Sequence, residues 1–343
     1  MIIRYVDLFA GIGGFRKAVE LTALPGVKFL AVAACEIDQP CRDLYTRAFP
    51  EGEDAFPEDV QGVKVRKRRG VTLPPFDLIF AGFPCQAFAN VGSRTGLADP
   101  RGALFFEIVA ILDYYQPDFF ILENVQKMAT IRRGNELNRI KDALEGIGYH
   151  LYVWDLTADE YGLPQRRRRL FFCGCRNGHT QAKKVLAPPR AVPRDRWEYP
   201  TVWHLLERSM DPRHIVPERT RHTVFRRNPK WMGDLEINRP IARPLTATMG
   251  KWHRANQDNY YSKSYVQADN PNPYCSPPVD WETEEIRRIT PLEGFRLQGF
   301  PDSYWELSRA LGLPLTTLYR LIGNAVPVNL AAAVTGHFLG ELL

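Results

Sequence analysis

Residues 2–24 read IIRYVDLFAGIGGFRKAVELTAL. The run 2–8 has the apolar, β-branched character of a strand. Glycines at 11, 13 and 14 then allow a tight turn, and 15–24 continues with helical spacing. Working outward, the same alternation recurs. Further strands are expected at 29–34, 77–81, 119–122, 150–155 and 169–173, with helices over 15–24, 104–115 and 136–146. In 104–115, Leu104, Ile108, Ile111 and Leu112 fall on one helical face. Strands alternating with helices predict an α/β fold, a doubly wound and mostly parallel sheet.

Residues 176–285 read differently. They hold 13 of the 27 prolines and five of the seven tryptophans without sustained periodicity, so a smaller, irregular lobe is expected there. Helical patterns return after 284 and end in an amphipathic stretch, 328–343, with Leu330, Val334, Phe338 and Leu342 on one stripe. The expected organisation is a first domain over 1–178, an irregular domain over 179–285, and a return segment over 286–343 that completes the first.

Of the net charge of +6, residues 176–285 carry +5, which suits an anionic partner. A second cluster comprises Lys64, Arg66, Lys67, Arg68 and Arg69 and reads, as charge runs usually do, as a solvated loop. The six cysteines, at 35, 41, 85, 173, 175 and 275, match neither a disulfide framework nor a zinc site, so no metal is expected. The N-terminal residues lack the form of a signal peptide and no apolar run approaches the ~20 residues of a membrane span. A cytoplasmic, membrane-free protein is expected.

In an open parallel sheet, ligands bind beyond the carboxyl ends of the strands. The unusual residues fall at those ends. The glycine turn after Asp7 permits close backbone approach to a ligand, although a plain glycine-rich turn accounts for it equally well. Glu36, after the second strand, is a candidate acceptor for ribose hydroxyls, and Asp59 a weaker candidate for an adenine amino group. Cys85 follows Pro84 in a loop rather than inside an element, a position that favours a nucleophile. Glu123 follows four apolar residues on a central strand, where desolvation disfavours a bare carboxylate and a proton donor is plausible. An acid paired with a nearby arginine fits the same position. If Arg169 begins a strand, alternation sets Arg167 and Arg169 on one face and Arg166 and Arg168 on the other.

Six ordered stretches carry a resemblance: 7–15 (DLFAGIGGF), 82–88 (GFPCQAF), 123–125 (ENV), 165–169 (QRRRR, fitting QxRxR), 290–301 (TPLEGFRLQGFP) and 323–329 (GNAVPVN). In these the chain resembles the C5-cytosine DNA methyltransferases, over 1–175 and about 286–343. The resemblance implies an S-adenosylmethionine-dependent enzyme that methylates C5 of a flipped-out cytosine in a short duplex DNA sequence. By it, Cys85 is the nucleophile, Glu123 contacts N3 and the exocyclic amine, and Arg167 and Arg169 position the base and the catalytic loop. Phe9, Gly11, Gly13, Glu36, Asp59, Pro84, Leu104 and Asn324 are implied as cofactor contacts, and Gln86, Arg94 and Thr246 as DNA contacts. Ala89 departs from the pattern, standing where many members have Ser. The residues 176–285 take the place of the variable target-recognition region. A monomer is expected, with a cognate restriction endonuclease as a separate protein. A tRNA-modifying branch of the same architecture usually carries Cys-Phe-Thr in that region, which is absent here. Intact Cys85, Glu123 and Arg169 argue against a non-catalytic DNA-binding regulator, and the missing GxGxxG against a nicotinamide dehydrogenase.

Overall fold

In the computed structural model, residues 1–50, 58–84, 104–130, 134–179, 184–226, 236–269 and 271–343 are described. They form two compact units. The first comprises Met1–Thr157, Arg168–Arg190 and Val328–Leu343; the second comprises Ala158–Arg167 and Ala191–Pro327.

The first unit is built on a six-stranded sheet of β1 (Ile2–Leu8), β2 (Lys28–Cys35), β3 (Leu78–Gly82), β4 (Phe119–Val125), β5 (Tyr149–Thr157) and β6 (Arg168–Arg176), in the order β2-β1-β3-β4-β6-β5. Strands β1 to β4 pair in parallel. Strand β6 runs antiparallel to both β4 and β5, so the sheet is mostly parallel, as expected. The reversal at β6 follows from length. Only ten residues, 158–167, join β5 to β6, and a parallel crossover needs a dozen or more.

The central strands are buried on both faces, which is why 78–81 and 119–122 are unbroken apolar runs rather than alternating ones. On one face Ile79, Ala81, Phe120 and Leu122 pack with Phe105, Ile108, Ile111 and Leu112 of α3 (Leu104–Tyr115) and with Ile140 and Leu144 of α4 (Asn135–Gly146). On the other, Phe80 stacks on Phe15 of α1 (Gly14–Leu21) at 4.8 Å, and Phe119 meets Phe338 of the terminal helix Val328–Leu342. Helix α2 (Gln39–Ala48) follows β2.

The second unit has a two-stranded ladder of β7 (Tyr260–Ser262) and β8 (Ile286–Arg288), and helices α5 (Glu218–Phe225), α6 (Lys263–Gln267), α7 (Pro291–Gln298), α8 (Ser303–Ala310) and α9 (Leu315–Asn324). Its core gathers Val216, Val224, Phe225, Ile237, Tyr260 and Ile286. The return to the first unit, expected at 286, occurs at Val328, where α10 (Val328–Leu342) begins. The cause is a fully buried ion pair. Arg287 bonds Glu293 at 2.6 Å, and Glu293 also accepts from the backbone N–H groups of Glu207 and Thr290. Arg287 in turn donates to the carbonyls of Glu207 and Arg288. Hydrogen bonds to further groups offset the desolvation of a buried pair, and these partners tie 286–293 to residue 207.

No helix among the described residues is long and apolar enough to cross a membrane.

Candidate active site

The order β2-β1-β3 reverses the direction of winding between β1 and β3, and a crevice opens at such a switch point beyond the strand ends. The register brings the singled-out residues of the first unit to that edge. Leu8 lies opposite Cys35 and Ala81, Gly82 opposite Glu123, and Val125 opposite Arg169.

At the end of β1 the backbone turns through left-handed conformations at Phe9 (φ 55°), Gly11 (φ 56°) and Gly13 (φ 87°). For a phenylalanine this costs on the order of 1–3 kcal/mol and must be held by its surroundings. Bonds from Ala10 N to Cys35 O and from Gly13 N to Ala10 O, each 2.9 Å, hold it. A side chain at Gly13 would also strike the Phe49 ring at 2.4 Å, whereas at Gly11 it would meet only open space. Gly13 is therefore a packing requirement, and Gly11 is the place where a ligand can approach the backbone.

Glu36 is partly buried at the end of β2. Its two oxygens accept from Gly11 N and Asp38 N, both at 2.8 Å, so it ties the glycine turn to the end of β2. Burial raises its carboxyl above the ordinary range, and these backbone bonds oppose the rise. Its neighbour Cys35 is buried and its thiol is pushed up to about 12 by desolvation, which leaves it inert. Asp59 accepts from Gln61 N at 3.0 Å, capping the short turn after it. Leu104 opens α3 and packs, half-buried, against the core, and Pro84 is likewise half-buried.

Glu123 and Arg169 are brought together. Arg169 Nε lies 2.7 Å from Glu123 Oε1, both side chains about nine-tenths buried. The paired-acid reading of Glu123 thus holds. Arginine alternation is also present. Arg166 and Arg168 are exposed and bridge Asp159 and Asp155, while Arg167 and Arg169 turn inward. The next residue, Asn124, is one that sequence reasoning missed. Its Nδ2 donates to Phe83 O at 3.0 Å, fixing the peptide that leads from β3 into Pro84 and Cys85. The available signal was a second polar residue following Glu123 at the end of an apolar strand.

Cys85, Gln86 and Arg94, with Ala89, lie outside the described residues.

Arg167, Thr246 and Asn324 belong to the second unit. Arg167 is 2% exposed, and its guanidinium donates to the carbonyls of Leu245, Gly323 and Ala325 at 2.7–3.0 Å. It therefore acts on main chain rather than presenting its head to a ligand. Gln165 adds a second clasp, accepting from Leu245 N and donating to Leu297 O. Gly323 crosses the Thr246 backbone so closely that a side chain there would lie 2.2 Å from its carbonyl carbon. The clasp leaves Thr246 and Asn324 exposed beside the residues it holds.

The sequence profile of the C-5 cytosine-specific DNA methylases matches residues 3–339. Among similar proteins, the Type II methyltransferase M.HaeII of Haemophilus aegyptius is 30% identical over 341 residues, covering 98% of this chain and 93% of its own length. M.DsaV of Dactylococcopsis salina is 29% identical, covering 99% and 87%. Among solved structures, the Entamoeba histolytica methyltransferase EhMeth superposes with a TM-score of 0.75 at 16% identity, covering 100% of this chain and 99% of that one. The S. pombe Dnmt2 methyltransferase gives 0.69 at 21%, covering 98% of each. These two likenesses bear on the fold alone.

Proposed function

The chain belongs to the C-5 cytosine-specific DNA methylase family, and from that membership we propose that its first unit adds a methyl group to C5 of a cytosine turned out of duplex DNA, through a covalent bond to Cys85. The observation that carries the reading is the pairing of Gly82 with Glu123. It starts the Cys85 segment beside a buried carboxylate that Arg169 holds at 2.7 Å.

The edge of the sheet suits S-adenosylmethionine. The Gly11 backbone is open to a ligand, and the two oxygens of Glu36, held by Gly11 N and Asp38 N, retain acceptor capacity for ribose hydroxyls. Phe9, Gly13, Asp59, Pro84, Leu104 and Asn324 are proposed as further contacts. When bound, the cofactor supplies the methyl group as a sulfonium electrophile, which C5 takes up.

The residues of the chain make C5 nucleophilic. Cytosine is electron-poor, so the Cys85 thiolate adds to C6 and the displaced π electrons enrich C5 and N3. Glu123 shares a proton with N3 and accepts from the exocyclic amine, which relieves the charge developing there. Arg169 positions Glu123 through its ion pair. Asn124 positions the peptide before Cys85. After methylation, loss of the C5 proton and expulsion of the Cys85 sulfur restore the aromatic ring. A stacked base cannot be reached in this way, and extruding it costs a few kcal/mol. Phosphate contacts from Gln86, Arg94 and the basic second unit offset that cost.

On this reading the protein works as a monomer in the cytoplasm, with any cognate endonuclease a separate protein. The reading is tested by bisulfite sequencing of DNA from cells expressing the chain. Protected cytosines should fall at one fixed position of one short motif, and DNA as unprotected as in control cells would overturn it.

Sequence reading is assigned to the irregular part of the second unit, with Thr246 among its contacts. The segment 179–285 carries most of the excess positive charge, and the chemistry above is complete without it. Phosphate contacts position a protein, but base-edge contacts specify the site. Grafting 179–285 onto a family member of different specificity should transfer the methylated motif. An active hybrid that still modifies the recipient's own site would place recognition elsewhere.

A further inference from the structure

The basic cluster at 64–69 is a built element rather than a loose loop. Val65 and Arg68 exchange backbone hydrogen bonds of 3.1 and 3.2 Å, closing a two-residue hairpin with Arg66 and Lys67 at its tip. One step down, Lys64 N donates to Val71 O and Val71 N to Gly62 O, both at 2.8 Å. The strands approach so closely that a side chain at Gly70 would lie 2.3 Å from Gly62 O, so only glycine fits there. Val63 and Leu73 root the hairpin in the main core of the first unit.

One of the five cations is used internally. Arg68 bonds Glu107, in the first turn of α3, at 2.7 Å and also donates to the Val63 carbonyl. Leu73 N donates to the hydroxyl of Tyr115, at the other end of α3. The hairpin is thus fastened along the helix that follows the Cys85 segment. Arg66, Lys67 and Arg69 are exposed, Lys64 half-exposed, and the sequence holds no acid between Asp59 and Asp77. Arg66 comes only within 4.0 Å of Asp113, with both side chains exposed, a contact worth little in water.

Holding like charges together on an ordered tip costs self-repulsion that a purely solvated loop has no reason to keep. We propose that this hairpin is a second DNA-binding element, in which Arg66, Lys67 and Arg69 neutralise backbone phosphates of the duplex independently of base sequence. It rests on the reading of the substrate as duplex DNA. Phosphate contacts carry no sequence information, so the contribution of the tip is electrostatic and equal on all sequences.

The test is the full chain carrying R66Q, K67Q and R69Q together. Binding to a 30-base-pair duplex of random sequence is measured against salt concentration. Each lost phosphate contact should make the log–log slope shallower by about 0.9, and affinity at 0.1 M salt should fall by roughly eightfold per contact. Turnover at saturating DNA should stay at the wild-type value, since none of the three residues belongs to the catalytic edge. Single variants, each folded as judged by an unchanged melting temperature, should show additive slope changes. A triple variant, or folded single variants, with the wild-type slope would overturn the proposal, leaving the cluster a solvated surface or the dock of an acidic protein. A wild-type chain that binds no duplex would instead overturn the DNA reading itself, and this inference with it.

Discussion

Replacing Cys85 by Ser is expected to abolish methyl transfer while leaving S-adenosylmethionine binding, measured by calorimetry, within about twofold of wild type. The two chalcogens differ little in size, but a thiol ionises near pH 8.5 and a serine hydroxyl far above any working pH, so only the thiolate is available to add to C6. The glycine turn, Glu36 and Asp59 are untouched by the change, which is why cofactor affinity should persist. A DNA substrate with 5-fluorocytosine at the target gives the complementary result. Fluorine cannot depart from C5 as a cation, so elimination stalls and a protein–DNA adduct should survive denaturing electrophoresis. An adduct formed equally by the Cys85→Ser variant would sink the assignment of Cys85 as nucleophile.

Glu123→Gln should lower turnover by about 10²-fold or more, the usual scale for losing a positioned acid–base group. The amide keeps the shape and an oxygen for Arg169, but it has no proton to exchange with N3. Removing one charge of a buried pair also costs stability, up to about 3–5 kcal/mol when the partner is stranded. With both side chains about nine-tenths buried, that cost must be separated from the catalytic one. Melting temperature and cofactor affinity report the first, and turnover at saturating DNA with its pH profile reports the second. A variant that is folded and turns over like wild type would leave Glu123 a structural acid that serves Arg169 alone.

The elements of the first unit were legible from local pattern. Strand 2–8 and helix 104–115 appear with the expected bounds, because apolar spacing within a dozen residues reports which faces are buried. The alternation across 166–169 was legible too, since side chains in extended chain point to opposite faces whatever lies around them. The position of Glu36 and Glu123 at strand ends followed from the same reading. Their partners did not.

What required the tertiary structure were choices made between residues far apart in the chain. That Glu123 faces Arg169 depends on β6 running antiparallel beside β4, and the apolar run 170–173 is equally compatible with either direction. Arg167 and Arg169 share a sequence motif and a charge, yet one is consumed by three carbonyls and the other holds a carboxylate. The carbonyls come from residues 245, 323 and 325, and no local pattern points to them. The boundary between the units moved for the same reason. Helical periodicity resumes after 284, but the buried Arg287–Glu293 pair is bonded to the backbone of Glu207, and desolvated charges stay where such partners hold them. Sequence alone therefore determined which segments are strands and helices and which side chains stand at their ends. The fold decided which of those side chains meet, because burial makes each unpaired charge or carbonyl costly and only the assembled chain supplies the partner.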